Sequence, residues 1–306
     1  METRKTLLLI DANSLIHRAF HALPPLTGRA GEPAQALYGV ASILIKLWRE
    51  GKPDYAAALF DRPEPTMREE RYPAYKAQRP PTPDSLVRQI VEARNLFRAF
   101  GVRTLEKAGA EADDLIATLA QRFQGTPSLG VIILTGDKDA LQLVMGDAVV
   151  VRVLRKGVSE SDLYSESTVR ETYGLSPSQL VDYKALVGDP SDNIKGVPGI
   201  GPKTATELLT RFGTLDRIYA RLDLDPKLKR KLESSKKEAE LARFLVTLNR
   251  EVDTEVFTLE DLALRDGRQG AETYLESLGF ESLVKRMRKE RDHRKSDLGR
   301  KQGNMF

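Results

Sequence analysis

The 306-residue sequence contains no cysteine. That absence excludes disulfides, cysteine-ligated zinc, thiol nucleophiles and iron–sulfur clusters, and it suits a reducing compartment. The three histidines, His17, His21 and His293, are a poor constellation for a histidine metal centre or a catalytic triad. No apolar run approaches the roughly 18 residues of a membrane span. The TLLLI that follows the basic N-terminus is too short for a signal-peptide core. No glycine-rich phosphate loop follows the first apolar run, which disfavours a nucleotide-binding module, and no internal repeat is present. With 41% hydrophobic and 30% charged residues, the chain reads as a soluble, cytoplasmic protein able to bury a sizeable core.

Charge is unevenly spread. The chain carries 48 Lys and Arg against 44 Asp and Glu, a net of +4, but nine of the basic and three of the acidic residues lie from Lys285 onward. The rest therefore holds 39 basic and 41 acidic side chains, a slightly acidic body with a basic tail. The tail suggests a polyanionic partner. The acidity of the body needs its own explanation.

Short apolar runs alternate with helix-like stretches through the first half, as in a mostly parallel sheet covered by helices. Strands are expected at Thr6–Ile10, Tyr55–Phe60, Val102–Leu105, Leu129–Leu134 and Ala148–Val153. Helices are expected at Ala36–Glu50, Ser85–Phe100 and Ala112–Phe123. After about residue 165 the pattern turns helical, through Glu166–Tyr173, Pro177–Val187 and Lys203–Arg211 to one or two helices over 258–284. The expected organisation is an α/β unit over 1–164, a helical region over 165–289 and a basic tail over 290–306. Residues 62–84 break the pattern with six prolines and several basic residues. An insertion of that length inside a compact unit is usually functional.

Three expected strands end in acids: Asp11, Asp61, and the pair Asp137 and Asp139. A fourth leads through a glycine turn to Glu111, Asp113 and Asp114 at a helix start. In an open parallel sheet the carboxyl ends of the strands share one edge. These acids, spread over 129 residues of sequence, would therefore converge. Any one of them could be an ordinary helix cap or turn residue. The ensemble is harder to dismiss, because two carboxylates about 5 Å apart repel by roughly 3 kcal/mol at an effective dielectric near 20. Raised pKa values or bound cations are needed. Oxygen ligands without Cys or His point to Mg²⁺ or Mn²⁺. Two such ions are a usual apparatus for phosphodiester hydrolysis, one activating water and the other steadying the leaving oxygen.

The stretch from Ala185 to Gly213 is the most specific in the chain. Its GVPGIGPKTA places Gly196, Gly199 and Gly201 in a tight turn between two helices. Glycine permits positive φ and close approach of backbone to a partner. The next helix N-terminus, with Lys203 and Thr204, can direct N–H groups at a phosphate. Asp189 and Asp192 lie just upstream, so a phosphate-binding hairpin over about 185–213 is tethered to two more carboxylates.

These residues resemble a known family. LLLIDANSLIHRAFHAL, REERYPAYKAQRPPTP, GAEADDLIATLA, LTGDKDALQLV and GDPSDNIKGVPGIGPKTA follow the order and spacing of the flap endonuclease, or 5′-nuclease, superfamily. The likeness is greatest to the N-terminal 5′-nuclease domain of bacterial family-A DNA polymerases and its stand-alone bacterial and phage relatives. It covers about residues 5–250. The resemblance implies a PIN-like α/β fold with a helical arch at 62–84 and a helix-hairpin-helix region. It implies a first metal site of Asp11, Asp61, Glu111 and Asp113, and a second of Asp137, Asp139 and Asp192, with Asp114 and Asp189 as outer or additional ligands. Lys76 and Arg79 match the arch residues that contact the scissile phosphate, with Arg68 and Tyr75 in support. Arg18, Phe20 and His21 lie where the family places residues near the 5′ nucleotide. The hairpin would bind K⁺ through the carbonyls of Val197 and Ile200.

The implied activity is that of a metal-dependent 5′-3′ exonuclease and flap endonuclease, leaving 5′-phosphate and 3′-hydroxyl ends. The implied partner is DNA with 5′ flaps, 5′ overhangs or junctions, and RNA/DNA hybrids are a second substrate class. A bacterial, nucleoid-associated monomer is expected. The alternatives are an RNA-directed or RNase-H-like nuclease using the same acids, and a non-catalytic junction-binding protein. No polymerase sequence follows, so the chain is expected to be either a free-standing nuclease or a piece of a larger protein, the basic tail reading as a native terminus more than as an interdomain linker.

Overall fold

The computed structural model describes residues 4–155, 160–221 and 225–289. The expected basic tail lies outside the described residues. Apolar runs buried on both sides build the sheet: β1 (Lys5–Asp11), β2 (Tyr55–Phe60), β3 (Arg103–Glu106), β4 (Leu129–Thr135) and β5 (Val149–Leu154). They are parallel, and an antiparallel edge strand, β6 (Ser161–Tyr164), completes the order β3-β2-β1-β4-β5-β6. The sequence carries no expectation of β6, whose SDLY is short and only partly apolar.

Alternation along each strand divides the core in two. Leu7 and Leu9 point to one face, under α5 (Ala112–Phe123). Leu8 and Ile10 point to the other, under α1 (Ala12–Ala22), α2 (Gln35–Gly51) and α4 (Asp84–Ala99). Helix α1 is a further departure from expectation. It is short and polar on its outer face, but Leu15, Ile16 and Ala19 are fully buried and Asp11 caps its first turn. Trp48 packs against this second core, edge-on to Phe100.

The insertion at 62–84 carries less helix than an arch implies. It holds one five-residue helix, α3 (Met67–Arg71), closed at its start by Glu69, whose carboxylate accepts the Thr66 N–H at 2.7 Å. Turns follow over 73–79. The segment is strapped down rather than free-standing. Lys76 N–H donates to the Asp192 carbonyl at 3.0 Å, and the Asn193 side chain donates to the Ala74 carbonyl at 2.7 Å.

The rest of the chain is mainly helical: α6 (Glu166–Tyr173), α7 (Leu180–Val187), α8 (Pro202–Phe212), α9 (Leu215–Tyr219), α10 (Pro226–Ser234), α11 (Lys236–Val246) and α12 (Arg268–Ser277). A further helix covers 281–289. The helix expected from Pro177 begins instead with a tight turn, Pro177–Gln179. Leu186, Val197, Ile200, Leu208, Leu209, Phe212 and Ala242 form a third core, which also takes in Tyr75 from the insertion. Between α7 and α8, Gly188 at φ +84° opens a two-residue ladder in which Gly188 faces Lys195 and Asp189 faces Ile194. Gly196 packs so closely that an added Cβ would lie 2.3 Å from the Gly188 nitrogen.

Candidate active site

In the strand order, β1 and β4 lie side by side and the chain fans outward from them in both directions. That reversal leaves a crevice at the carboxyl ends of the strands. A cleft of about 810 Å³ opens there, lined by Asp11, Asp61, Glu111, Asp113 and Asp137, with Lys76 and Arg79 from the insertion on its rim.

Three of these acids are fixed by bonds that also serve the fold. Asp11 Oδ1 accepts the Ser14 N–H at 2.9 Å, and its Oδ2 accepts the Thr135 hydroxyl at 2.6 Å. Asp61 Oδ1 accepts the Ala112 N–H at 2.7 Å, at the start of α5. Asp137 Oδ1 accepts the Asp139 N–H at 2.9 Å. Capping and convergence are therefore one arrangement, since each cap leaves a second oxygen that can face the cleft.

The electrostatics are those of crowded anions. Burial, followed by the charges of Asp61 and Asp137, pushes Asp11 up to about 7 against the stabilising bond from Thr135. Burial and the charges of Asp11, Asp137 and Asp61 raise Asp113 well above the usual carboxylate range. Asp113 Oδ1 is buried with no hydrogen-bond partner among the described residues. A buried acceptor left unpaired is costly, and an all-oxygen donor set with such an orphan fits a hard divalent cation.

A second acidic group lies beside the first. Asp139, Asp189 and Asp192 each offer an oxygen within 4.8 Å of the others. Asp139 follows β4, whereas the other two come from the segment between α7 and α8. Asp137, expected with Asp139 and Asp192, lines the cleft with Asp11, Asp61, Glu111 and Asp113, while Asp189, expected as an outer or additional ligand, lies with Asp139 and Asp192.

Cations from the insertion already touch both groups. Lys76 Nζ donates to Glu111 Oε1 at 2.9 Å, and Arg79 Nη2 to Asp192 Oδ1 at 2.5 Å. Burial works most strongly against both charges, but Glu111, Tyr75 and Asp192 together outweigh it for Lys76, as Asp192, Tyr75 and Asp137 do for Arg79, so both are held more firmly protonated. Lys76 has φ +54°, a left-handed backbone that a non-glycine residue adopts at a cost and that clusters at functional sites.

Four expected residues are buried or turned away from the cleft. Asp114, expected as an outer or additional ligand, is held by Arg68, whose Nη1 and Nη2 donate to its two oxygens at 2.8 Å each, and by the Asn249 N–H, which donates to Oδ1 at 2.8 Å. Arg68 is likewise not placed to meet DNA. It is 2% exposed, and it also donates to the carbonyls of Leu245 and Thr247. Tyr75 is 5% exposed in the third core, its hydroxyl within 3.3 Å of both Glu111 and Asp192. Phe20 packs on the second core, edge-on to His21, and does not line the cleft. For Arg68, Tyr75 and Phe20 the side chain is large enough to span from the cleft edge into the core, and sequence spacing does not tell which end is occupied.

Arg18 and His21 do line the cleft, with Arg18 donating to the Gly136 carbonyl at 3.5 Å. Asn13, Ser14 and His17 line it too and were not expected. Helical spacing could have found them, since Ser14 lies one turn before Arg18 and Asn13 one turn before His17, itself one turn before His21. Burial, then the neighbouring His21, lowers the His17 pKa. On the hairpin, Lys203 is exposed beside Gly201, around which no heavy atom lies within 4 Å of an added Cβ. The Val197 carbonyl accepts the Ile200 N–H at 3.0 Å across the turn.

Comparison with known proteins gives consistent matches. Residues 6–174 match the family model "5'-3' exonuclease, N-terminal resolvase-like domain", and residues 175–269 match "5'-3' exonuclease, C-terminal SAM fold". The chain is 40% identical over 284 residues to DNA polymerase I of Caldicellulosiruptor bescii, covering 92% of this chain and 33% of that protein. It is 39% identical over 286 residues to the thermostable DNA polymerase I of Thermus thermophilus, with the same coverage of each. It thus spans about a third of the length of these curated relatives. Among solved structures, T5 5′-exonuclease with bound divalent zinc ions superimposes with a TM-score of 0.64 at 22% identity, over 94% of this chain and 99% of that one. The catalytic core of Rad2 in complex with DNA substrate gives 0.58 at 15% identity, over 93% of each. These structural likenesses establish the fold.

Proposed function

The chain belongs to the 5′-3′ exonuclease family, and from that premise we propose that it hydrolyses DNA phosphodiesters as a divalent-metal-dependent, structure-selective 5′ nuclease. The observation that carries this reading is the convergence of both acidic groups beneath the two basic side chains of the insertion. A phosphodiester brought to that cleft meets carboxylates below and cations above, the complement of a phosphate held against metal ions. Asp11, Asp61, Asp113 and Asp137 would hold one ion, and Asp139, Asp189 and Asp192 a second. Mg²⁺ or Mn²⁺ bound there would supply Lewis acidity toward water and the phosphoryl oxygens.

The protein's own residues do the rest. Lys76 and Arg79 stabilise charge on the phosphoryl oxygens as the phosphate enters. The open backbone around Gly201 and the N-terminus of α8, with Lys203 and Thr204, hold a duplex phosphate without reading sequence. Arg18 and His21, on the cleft wall, face the 5′ end of the strand. K⁺ at the carbonyls of Val197 and Ile200 would reinforce the hairpin. The substrates are DNA 5′ flaps, overhangs and junctions, cut by a monomer to leave 5′-phosphate and 3′-hydroxyl ends.

The test is cleavage of a 5′-flap DNA, with an RNA flap alongside, in Mg²⁺, Mn²⁺ and EDTA, with product ends mapped. Metal-dependent release of the DNA flap is expected, and Asp137→Asn should abolish it at saturating Mg²⁺. Binding without cleavage, wild-type rates in Asp137→Asn, or preference for the RNA flap would overturn the reading.

A further inference from the structure

Lys184 has no counterpart in the sequence-based expectations, yet its ammonium is the most closely held cation of the acidic site. It projects from the last turn of α7 and donates to Asp139 Oδ1 and to Asp189 Oδ2, the latter at 2.6 Å. Those two carboxylates belong to the group whose oxygens lie within 4.8 Å of one another. The third member, Asp192, is paired with Arg79 at 2.5 Å. The Lys184 side chain is 25% exposed and its two partners are 14% and 12% exposed, so the pair is shielded but reachable from solvent.

The group of Asp11, Asp61, Asp113 and Asp137 is built differently. No Lys or Arg among the described residues donates to any of the four, and Asp113 Oδ1 is buried without a partner. Each carboxylate of the Asp139, Asp189 and Asp192 group thus has a cation donating to it, whereas beside the other four only the neighbouring Glu111 is so paired, by Lys76.

We propose that Lys184 is the built-in counter-cation of the Asp139, Asp189 and Asp192 group, so that a divalent ion enters there only by displacing it, after the Asp11, Asp61, Asp113 and Asp137 group has filled. This rests on the two-group metal reading above. The physical reason is competition for the same lone pairs. An ammonium donating to two carboxylates occupies oxygens that a divalent ion must coordinate, and α7 tethers it there at high effective concentration. Displacement frees the ammonium beside Asp139 and Asp189, where an incoming backbone phosphate would be an anion of suitable charge. Ion entry and phosphate capture on this side thereby favour each other. Arg79 on Asp192 is placed to move in the same sense.

The experiment is Mn²⁺ binding to the DNA-free protein, followed by electron paramagnetic resonance and calorimetry at constant ionic strength. Wild type is expected to show a tight and a weak class of site. Lys184→Met should tighten the weak class by about tenfold, which is about 1.4 kcal/mol, and leave the tight class in place. Lys184→Arg, which can bridge two carboxylates with a fixed fork, should weaken the same class further. Lys138→Met is the control: Lys138 is exposed beside Asp139 and makes no ion pair among the described residues, so it removes equal charge and should shift the weak class by less than about twofold. With flap DNA and Mn²⁺ present, metal and DNA are expected to raise each other's affinity in wild type, and Lys184→Met should lose that mutual enhancement.

An unchanged or weakened second class in Lys184→Met, or an equal gain in Lys138→Met, would overturn the proposal while wild-type flap cleavage leaves the nuclease reading standing. If wild type binds no divalent ion at all, that reading fails and the proposal with it. Should Lys184→Met melt well below wild type, the opposite shift expected of Lys184→Arg decides the matter.

Discussion

Replacing Arg68 by methionine removes a guanidinium that is 2% exposed while keeping much of its apolar length. The structure sets the size of the effect. Asp114, 1% exposed, would lose both of its 2.8 Å charge-assisted bonds and keep donors only from Asn249 N–H at 2.8 Å and Glu111 N–H at 3.3 Å. The carbonyls of Leu245 and Thr247 would each lose a 2.8 Å donor as well. Removing one partner from a buried ion pair costs about 3–5 kcal/mol. That is a large share of the roughly 5–15 kcal/mol that holds a typical domain together. Urea unfolding in EDTA measures it directly. Adding Asp114→Asn to Arg68→Met should recover at least about 1 kcal/mol, because the remaining amide no longer needs a cation. The functional counterpart follows from the 3.3 Å contact of Arg68 with Glu111. Single-turnover cleavage should slow while flap-DNA affinity is kept. A loss below about 1 kcal/mol, or strict additivity of the two substitutions, would refute the pairing argument.

Other outcomes are expected together. Without metal, stability should fall as pH rises from about 4 to 7. Asp11 takes up its proton near 7 when folded but near 3.8 otherwise, so the folded state binds more protons across that window; for this group alone the change is on the order of 4 kcal/mol. Thermal melts in EDTA and in Mg²⁺ check this, and a melting temperature that climbs over the same range in EDTA would contradict it. Lys76→Ala should slow the chemical step in single-turnover kinetics more than it weakens DNA binding; an affinity loss alone would count against its role at the phosphate. Gly196→Ala should destabilise the protein, since its Cβ would meet backbone atoms at 2.3 Å, whereas Gly201→Ala should leave the melting temperature unchanged and weaken duplex binding severalfold.

The sheet was legible because short continuous apolar runs ending in acids need both faces covered and one edge shared, and Tyr55–Phe60 occurs with its expected bounds. What escaped was decided by tertiary contact. Strand β6 exists because β5 offers a free edge, and α1 because Asp11 caps it. The acids were legible as a set, but their partition was not. Whether Asp114 faces the cleft or Arg68 depends on which way the first turn of α5 is rotated, and local sequence does not encode that. Lys184 was invisible for a related reason: its two carboxylates lie 45 residues upstream and five residues downstream.

The strap between residues 74–76 and 192–193 has a consequence for how such a protein can be divided. Asp189 and Asp192 lie beyond residue 174, while the other acids and the basic insertion lie before it. Neither half is an exchangeable part. A chimera that borrows its helical half from a relative must carry over the Asp189–Asn193 loop in register with Ala74 and Lys76, or its acids and its arch will not meet. A chain severed near residue 174 would behave as a split enzyme, silent as fragments and active on reassembly.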